Sequence, residues 1–234
     1  AYELLAGLVP EVEQQLLPAM LDDPSLELRR DAVARVIDEA ENALKAEDRD
    51  RAAQAYRRAV SAARDEDQIR LVSQALRNLG EEVDLQKLMG FVVHWKLIGP
   101  FDNTDRKGFA TAYPPERELD FAASYDGKHG QVAWIDHGTE DDHGKVDLNK
   151  ALVEEKSVVG YAAAEFFVEQ AQTVQFRLTS LNAVRLWVNG QPVIDRHIYH
   201  SGSSLDQYVG EARLRAGGNI ILVKICQNEQ TQSW

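Results

Sequence analysis

Cysteine is nearly missing from this chain: among 234 residues there is one, Cys226. A lone thiol excludes an intrachain disulfide and any cysteine-cluster zinc site, and it leaves the compartment open. Long apolar runs are missing too. No stretch approaches the roughly 20 apolar residues a membrane-spanning helix needs, so insertion by a helix is not expected. Positive charge is short: 26 Lys and Arg stand against 38 Asp and Glu, a formal net charge of −12. Without a basic face there is no electrostatic footprint for nucleic acid. The opening AYELLAGLV lacks the basic start of a signal peptide and reads as the interior of a helix. The chain is therefore expected to be a segment of a longer protein. Signatures of chemistry are missing as well: no phosphate loop, dinucleotide fingerprint, haem attachment or Gly-x-Ser-x-Gly occurs. Paired acids are so frequent here that they carry no information about glycoside hydrolysis. No catalytic activity is expected.

What is present is unevenly distributed. Up to about residue 88 the only aromatics are Tyr2 and Tyr56, and Ala, Leu, Arg and Glu dominate. That is helical composition. Pro10 and Pro18 break the first part into short pieces. Asp23 and Pro24 are placed to start a helix whose apolar face is Leu28, Ala32, Val33, Val36, Ile37, Ala40 and Leu44. A second helix is expected from Asp48, carrying Ala52, Ala55, Tyr56, Ala59 and Ala63. Asp65 and Gln68 have capping-box spacing for a third, with Ile69, Val72, Leu76 and Leu79 inward and Gly80 as its stop.

After Gly90 the composition changes to β-branched residues, aromatics and glycine, and all six histidines lie here. The organising stretch is Thr173 to Ile194, TVQFRLTSLNAVRLWVNGQPVI. Val174, Phe176 and Leu178 alternate with polar residues, as do Val184, Leu186 and Val188. Asn189-Gly190 is the strongest short hairpin signal, because a type I′ turn needs positive φ at both central residues. The stretch reads as a meander of two strands and the opening of a third, with Pro192 implying that the return strand lies at an edge or starts after it. Further strands are expected at Val92 to Ile98, ending in a Gly99-Pro100 turn, at Ala122 to Tyr125 paired with Gln131 to Asp136, at Val158 to Val168, and at Tyr208 to Leu214. Asn219 to Cys226 is apolar on both faces, which predicts a central strand. About eight to ten short strands with irregular connections predict an antiparallel jelly-roll β-sandwich. The fold class is thus α+β in two parts: a helical segment over 1–89 and a sandwich over 90–234. With no Gly/Ser/Pro linker between them, docking through Leu76, Leu79, Val83 and Leu88 is expected. The polar QNEQTQSW after the last strand predicts a turn into one more strand beyond Trp234.

WKLIGPFDN, YPPE, VRLWVNGQPVI and GGNIILVKICQNEQ together resemble the C-terminal module of uncharacterised bacterial proteins that join HEAT-like repeats to a galactose-binding-like sandwich. LPAMLDDPSLELRRDAVARVIDEA resembles a HEAT-type repeat, and AAQAYRRAVSAARDEDQIRLVSQALRNLG leans toward the tetratricopeptide type. The resemblance implies a non-catalytic module that recognises carbohydrate or a protein partner, with a purely structural docking unit as the alternative. Fold alone does not choose between them.

Candidate ligand-binding residues follow from residue type and loop length. His197 and His200, with Tyr199 between them and Asp195 and Asp206 nearby, are the nearest approach to a metal pattern. No third ligand is identified by spacing, and a polar loop satisfying its own backbone accounts for the same residues. The Asp195–Asp206 loop is long for a sandwich connection, which makes it the first choice for a site. Asp136, His137 and His143 in an acidic loop are second choices. The resembled fold often carries a structural calcium, but Asp-x-Asp-x-Asp-Gly spacing is missing here. Trp187 falls on the face of Arg185, opposite the apolar set, and is a candidate stacking surface for a sugar. Trp95 and Trp134 read as core.

Overall fold

Alanines at helical spacing build the first part of the chain. The computed structural model describes residues 16–230 and Trp234. Two compact units divide between Met89 and Gly90. The helical pieces expected around Pro10 lie outside the described residues, and Pro18 sits in a 3-10 turn over Leu17–Ala19. Helix α1 spans Leu26–Lys45, α2 Arg49–Ala62, α3 Glu66–Asn78 and α4 Leu85–Met89. No helix among the described residues is long and apolar enough to cross a membrane. Ala32, Val33, Val36, Ile37 and Ala40 of α1 and Ala52, Ala55, Tyr56 and Ala59 of α2 are all buried. Their small side chains let α1 pack along α2, and α2 packs in turn on α3. Leu44, expected on the apolar face, is 37% exposed.

Asp48 caps α2 as its spacing predicts, its carboxylate accepting from Arg51 N at 3.1 Å. The other two starts differ from expectation. Ser25, not Asp23, caps α1, and Asp23 accepts from Ser25 N at 2.8 Å. At α3 the capping box does not form. Arg30 of α1 pairs with Asp65 at 3.2 Å and Asp67 at 2.6 Å, and Gln68 Nε2 donates to Arg30 O at 3.0 Å. A cation from another helix has taken the carboxylate that a local rule assigned to the backbone. Gly80 does end α3: its φ of 89° allows Glu81 N to reach back to Leu76 O at 3.0 Å.

Among the described residues the second unit has ten strands: β1 His94–Asp102, β2 Ser124–Asp126, β3 Gln131–Ala133, β4 Ile135–Gly138, β5 Val158–Val168, β6 Gln172–Leu178, β7 Ala183–Val188, β8 Gln191–Arg196, β9 Tyr208–Leu214 and β10 Gly217–Cys226. Six form an antiparallel sheet in the order β4-β1-β5-β10-β7-β8, while β6 pairs with β9 and β2 with β3. The α+β class therefore holds.

The hairpin is where Asn189-Gly190 places it. Both residues have positive φ, 50° and 78°, and Val184, Leu186 and Val188 point into the core. Pro192 lies on the edge strand β8, beside a register shift. A Cβ at Gly190 would meet nothing within 4 Å, so only backbone strain opposes Gly190→Ala. We expect that variant to lose about 1 kcal/mol, read as a lower urea midpoint at unchanged slope.

The three-stranded meander does not form. After β6 the chain crosses to the other layer, and β6 pairs with β9 along its whole length. Ser180 to Asn182 is a crossover, and only β7 and β8 are a hairpin. β1 also differs: it starts at His94 and runs through Gly99-Pro100 as a bulge, resuming its pairing with β5 at Phe101↔Val159. Of the expected Ala122–Tyr125/Gln131–Asp136 pair, only β2 and β3 pair with each other. Trp134 breaks the second segment, and β4 turns to join β1.

Both faces of the large sheet are covered. One carries Leu97, Val184, Leu186, Val188, Ile221 and Val223 against Phe176, Leu178 and Ala212 of the β6–β9 ribbon, with Leu148 and Trp234 completing it. The other carries Ile98, Phe101, Val159, Tyr161, Leu222 and Cys226 beneath Phe109, Tyr125, Val132 and Trp134. That explains why β10 lies centrally between β5 and β7 with apolar residues on both sides. Burial pushes the Cys226 thiol up to about 12, which leaves it inert near neutral pH.

One charged residue enters the second core. Lys224 of β10 is 0% exposed, and its Nζ lies 2.7 Å from Glu116 Oε1, 2.7 Å from Thr111 O and 3.3 Å from Phe109 O. Tyr161 donates its hydroxyl to the same Glu116 oxygen. Burial, and then the Glu116 carboxylate, hold the Tyr161 phenol far above its ordinary range.

Candidate binding site

The first-choice loop runs from the end of β8 to the start of β9, and its His, Tyr and Asp side chains contact their own unit. The His197 ring stacks on Phe109, centroids 4.3 Å apart and planes 7° from parallel. The Tyr199 hydroxyl accepts from Asn103 Nδ2 at 3.3 Å, and the Arg106 guanidinium lies 5.4 Å from its ring. Desolvation raises the Tyr199 phenol. His200 turns the other way: its Nε2 is 2.6 Å from the Tyr208 hydroxyl, and its N–H donates to Leu181 O at 2.8 Å. Asp206 pairs with Arg177, and Asp195 with Arg185 at 2.9 Å. The two histidines and two acids of the sequence pattern thus go to four different partners. Among the described residues no three His, Cys, Asp or Glu side chains gather as a metal ion would require.

The acidic loop after β4 is likewise organised by its own backbone. Asp141 Oδ1 accepts from His143 N at 2.9 Å and from Lys145 N at 3.2 Å. The His143 ring lies 6.4 Å from that of Phe91. Trp187, opposite Pro192 in the β7–β8 ladder, is half-buried against the second core, as is Trp134.

Asp136 and His137 have a different setting. β1 and β5 are paired as far as Lys96↔Ala163, and beyond that point no ladder joins them. On its other edge β1 pairs with β4, from Leu97↔Ile135 and Lys96↔Asp136 to Trp95↔His137 and His94↔Gly138. An open cleft of about 400 Å³ lies around the start of β1, near the lower end of the range for ligand sites. His94, Trp95 and Lys96 line it together with Phe121, Asp136, His137 and Ala163 to Glu165. Lys96 Nζ holds Asp136 Oδ1 at 2.7 Å and lies 5.5 Å from the Phe121 ring centroid. Trp95 donates its indole N–H to Val92 O at 3.0 Å and packs against the first core, on the face of β1 opposite Lys96.

The cleft joins two of the second-choice residues to four that sequence reasoning did not select: His94, Lys96, Phe121 and Glu165. Nothing local marks them. They converge because β1 is flanked by β4 on one edge and β5 on the other, which is a property of pairing rather than of spacing. On the helical unit a second open groove of about 530 Å³ lies along Arg35, Glu39 and Arg51. There Glu39 is already paired with Arg58 at 2.5 Å and with Arg51 at 3.7 Å.

No family model matches the chain, and no curated protein matches it. Among solved structures, a GH2 β-galacturonidase from Eisenbergiella tayi bound to glycerol is similar over 57% of this chain, with 15% identity and a TM-score of 0.27. The chain spans a fifth of that enzyme's length, 20%. A TM-score at that level assigns neither fold nor function.

Proposed function

We propose that this protein is a non-catalytic binding module in which a helical-repeat arm of HEAT or tetratricopeptide type carries a jelly-roll sandwich, and that the sandwich recognises carbohydrate in the cleft at the start of β1. The observation that carries this reading is the cleft's lining: the Phe121 ring beside the Lys96–Asp136 pair on one face of β1, and the Trp95 ring with His137 on the other. A sugar presents the same mixture, apolar C–H faces with hydroxyls at the edges. Small sites commonly combine apolar walls with a few convergent polar groups.

The test is retention of the full chain on a glycan array, followed by titration calorimetry with any hit. His137→Ala should weaken binding at least fivefold at an unchanged melting temperature, and His200→Ala should leave it intact. Loss with His200→Ala alone would move the site to the 197–206 loop. Glycan turnover that disappears in Asp136→Asn would make the unit an enzyme and end the non-catalytic reading.

The second reading is a structural or docking unit without a small ligand. It is supported by the 197–206 loop, whose His197, Tyr199 and His200 are engaged by Phe109, Asn103 and Tyr208. Silence on the array, together with capture of a defined protein partner, would favour it.

A further inference from the structure

The charges around the cleft narrow what it takes. Lys96, Asp136 and Glu165 are its fixed charges, one cation against two anions. The cation is already compensated, since Lys96 Nζ lies 2.7 Å from Asp136 Oδ1. The Asp136 side chain is 85% exposed and that of Lys96 35%, so both remain within reach of a ligand. An anionic sugar entering here would meet no free ammonium and would approach two carboxylates in a chain whose formal net charge is −12. Like charge brought close without a partner opposes binding. A neutral sugar meets no such cost.

The pair also has a directional preference. An ammonium has only donors and an ionised carboxylate only acceptors. Held side by side, they offer one donor and one acceptor a hydrogen-bond length apart. Two adjacent sugar hydroxyls match that arrangement, one accepting from Lys96 and its neighbour donating to Asp136. Bonds to ionised groups are the stronger kind. The Phe121 ring lies beside the pair, its centroid 5.5 Å from Lys96 Nζ. A ligand ring resting there therefore has its polar contacts confined to the Lys96–Asp136 side.

Resting on the carbohydrate reading above, we infer that the cleft at the start of β1 selects a neutral pyranose through two neighbouring hydroxyls bridged by Lys96 and Asp136, and rejects uronic acids. The experiment is titration of the full chain with methyl galactoside, methyl mannoside and methyl glucoside, and with galacturonate and glucuronate, at pH 8 and low salt. At least one neutral glycoside is expected to bind tenfold or more tighter than either uronate. Asp136→Asn and Lys96→Met should each weaken the neutral glycoside tenfold while melting as the parent does. A uronate that binds equally or more tightly, or neutral binding unchanged in both variants, overturns this inference and leaves a carbohydrate site standing. Failure of every neutral and acidic sugar, including the hits of the glycan array, overturns the carbohydrate reading itself.

Discussion

Lys224→Ala is expected to destabilise the β unit by about 3–5 kcal/mol, a fall of roughly 10 °C in melting temperature. Removing the ammonium leaves the Glu116 carboxylate, whose side chain is 11% exposed, facing Tyr161 and two main-chain carbonyls with no cation between them. The loss measures that stranded charge rather than any net gain from the ion pair. The triple replacement Lys224→Met, Glu116→Leu, Tyr161→Phe removes all three polar partners together. It should return to within about 2 kcal/mol of the parent, because well-packed apolar groups commonly match a buried pair. Urea unfolding of the single and triple variants decides the matter. A single variant losing under about 1 kcal/mol would show that water reaches Glu116.

Phe101→Ala should cost a comparable amount, about 3–5 kcal/mol. Phe101 is 0% exposed, stacks on Tyr113 at 4.8 Å and meets Tyr161 edge-on at 5.7 Å. It joins the large sheet to the irregular segment over residues 104–134, which contributes only the short β2–β3 hairpin and single turns of helix. That segment gains little from backbone ladders, so its order depends on side chains such as this one. The variant should lower the urea midpoint and also speed hydrogen exchange in β2 and β3 more than in β7 and β10. Uniform exchange, or a loss below about 1.5 kcal/mol, would mean that the second layer is held by something other than its aromatic cluster.

Elements whose signal is local were legible from residues alone. The limits of β5 and β9 coincide with the expected ones, since alternating or continuous apolar runs bounded by turn residues need no knowledge of partners. Asn189-Gly190 set its own hairpin, Asp48 capped α2, and the two-faced apolarity of β10 announced a central strand. The misreadings share a cause. Alternation tells which face of β6 is buried, but not that its partner is β9 rather than β7. Asp65 has the residue type of a cap, yet Arg30, brought in by packing, claims it.

The same division holds for the site. Composition alone excluded an intrachain disulfide, a cysteine-based metal site and a basic nucleic-acid face. Residue type brought forward Asp136 and His137, but also the 197–206 loop, because long loops rich in His and Tyr look alike whether they face a ligand or their own core. Their surroundings are a matter of tertiary structure. It laid His197 on Phe109 and His200 against Tyr208, and it set β4 and β5 on the two edges of β1, so that Asp136 and His137 line a cleft with Trp95, Lys96 and Glu165. It also buried Lys224, the one charged residue of the central strand β10. Sequence determines what each segment prefers to be. Which segments become neighbours follows from how apolar faces are shared across the whole chain, and a binding cleft or a buried charge exists only between neighbours.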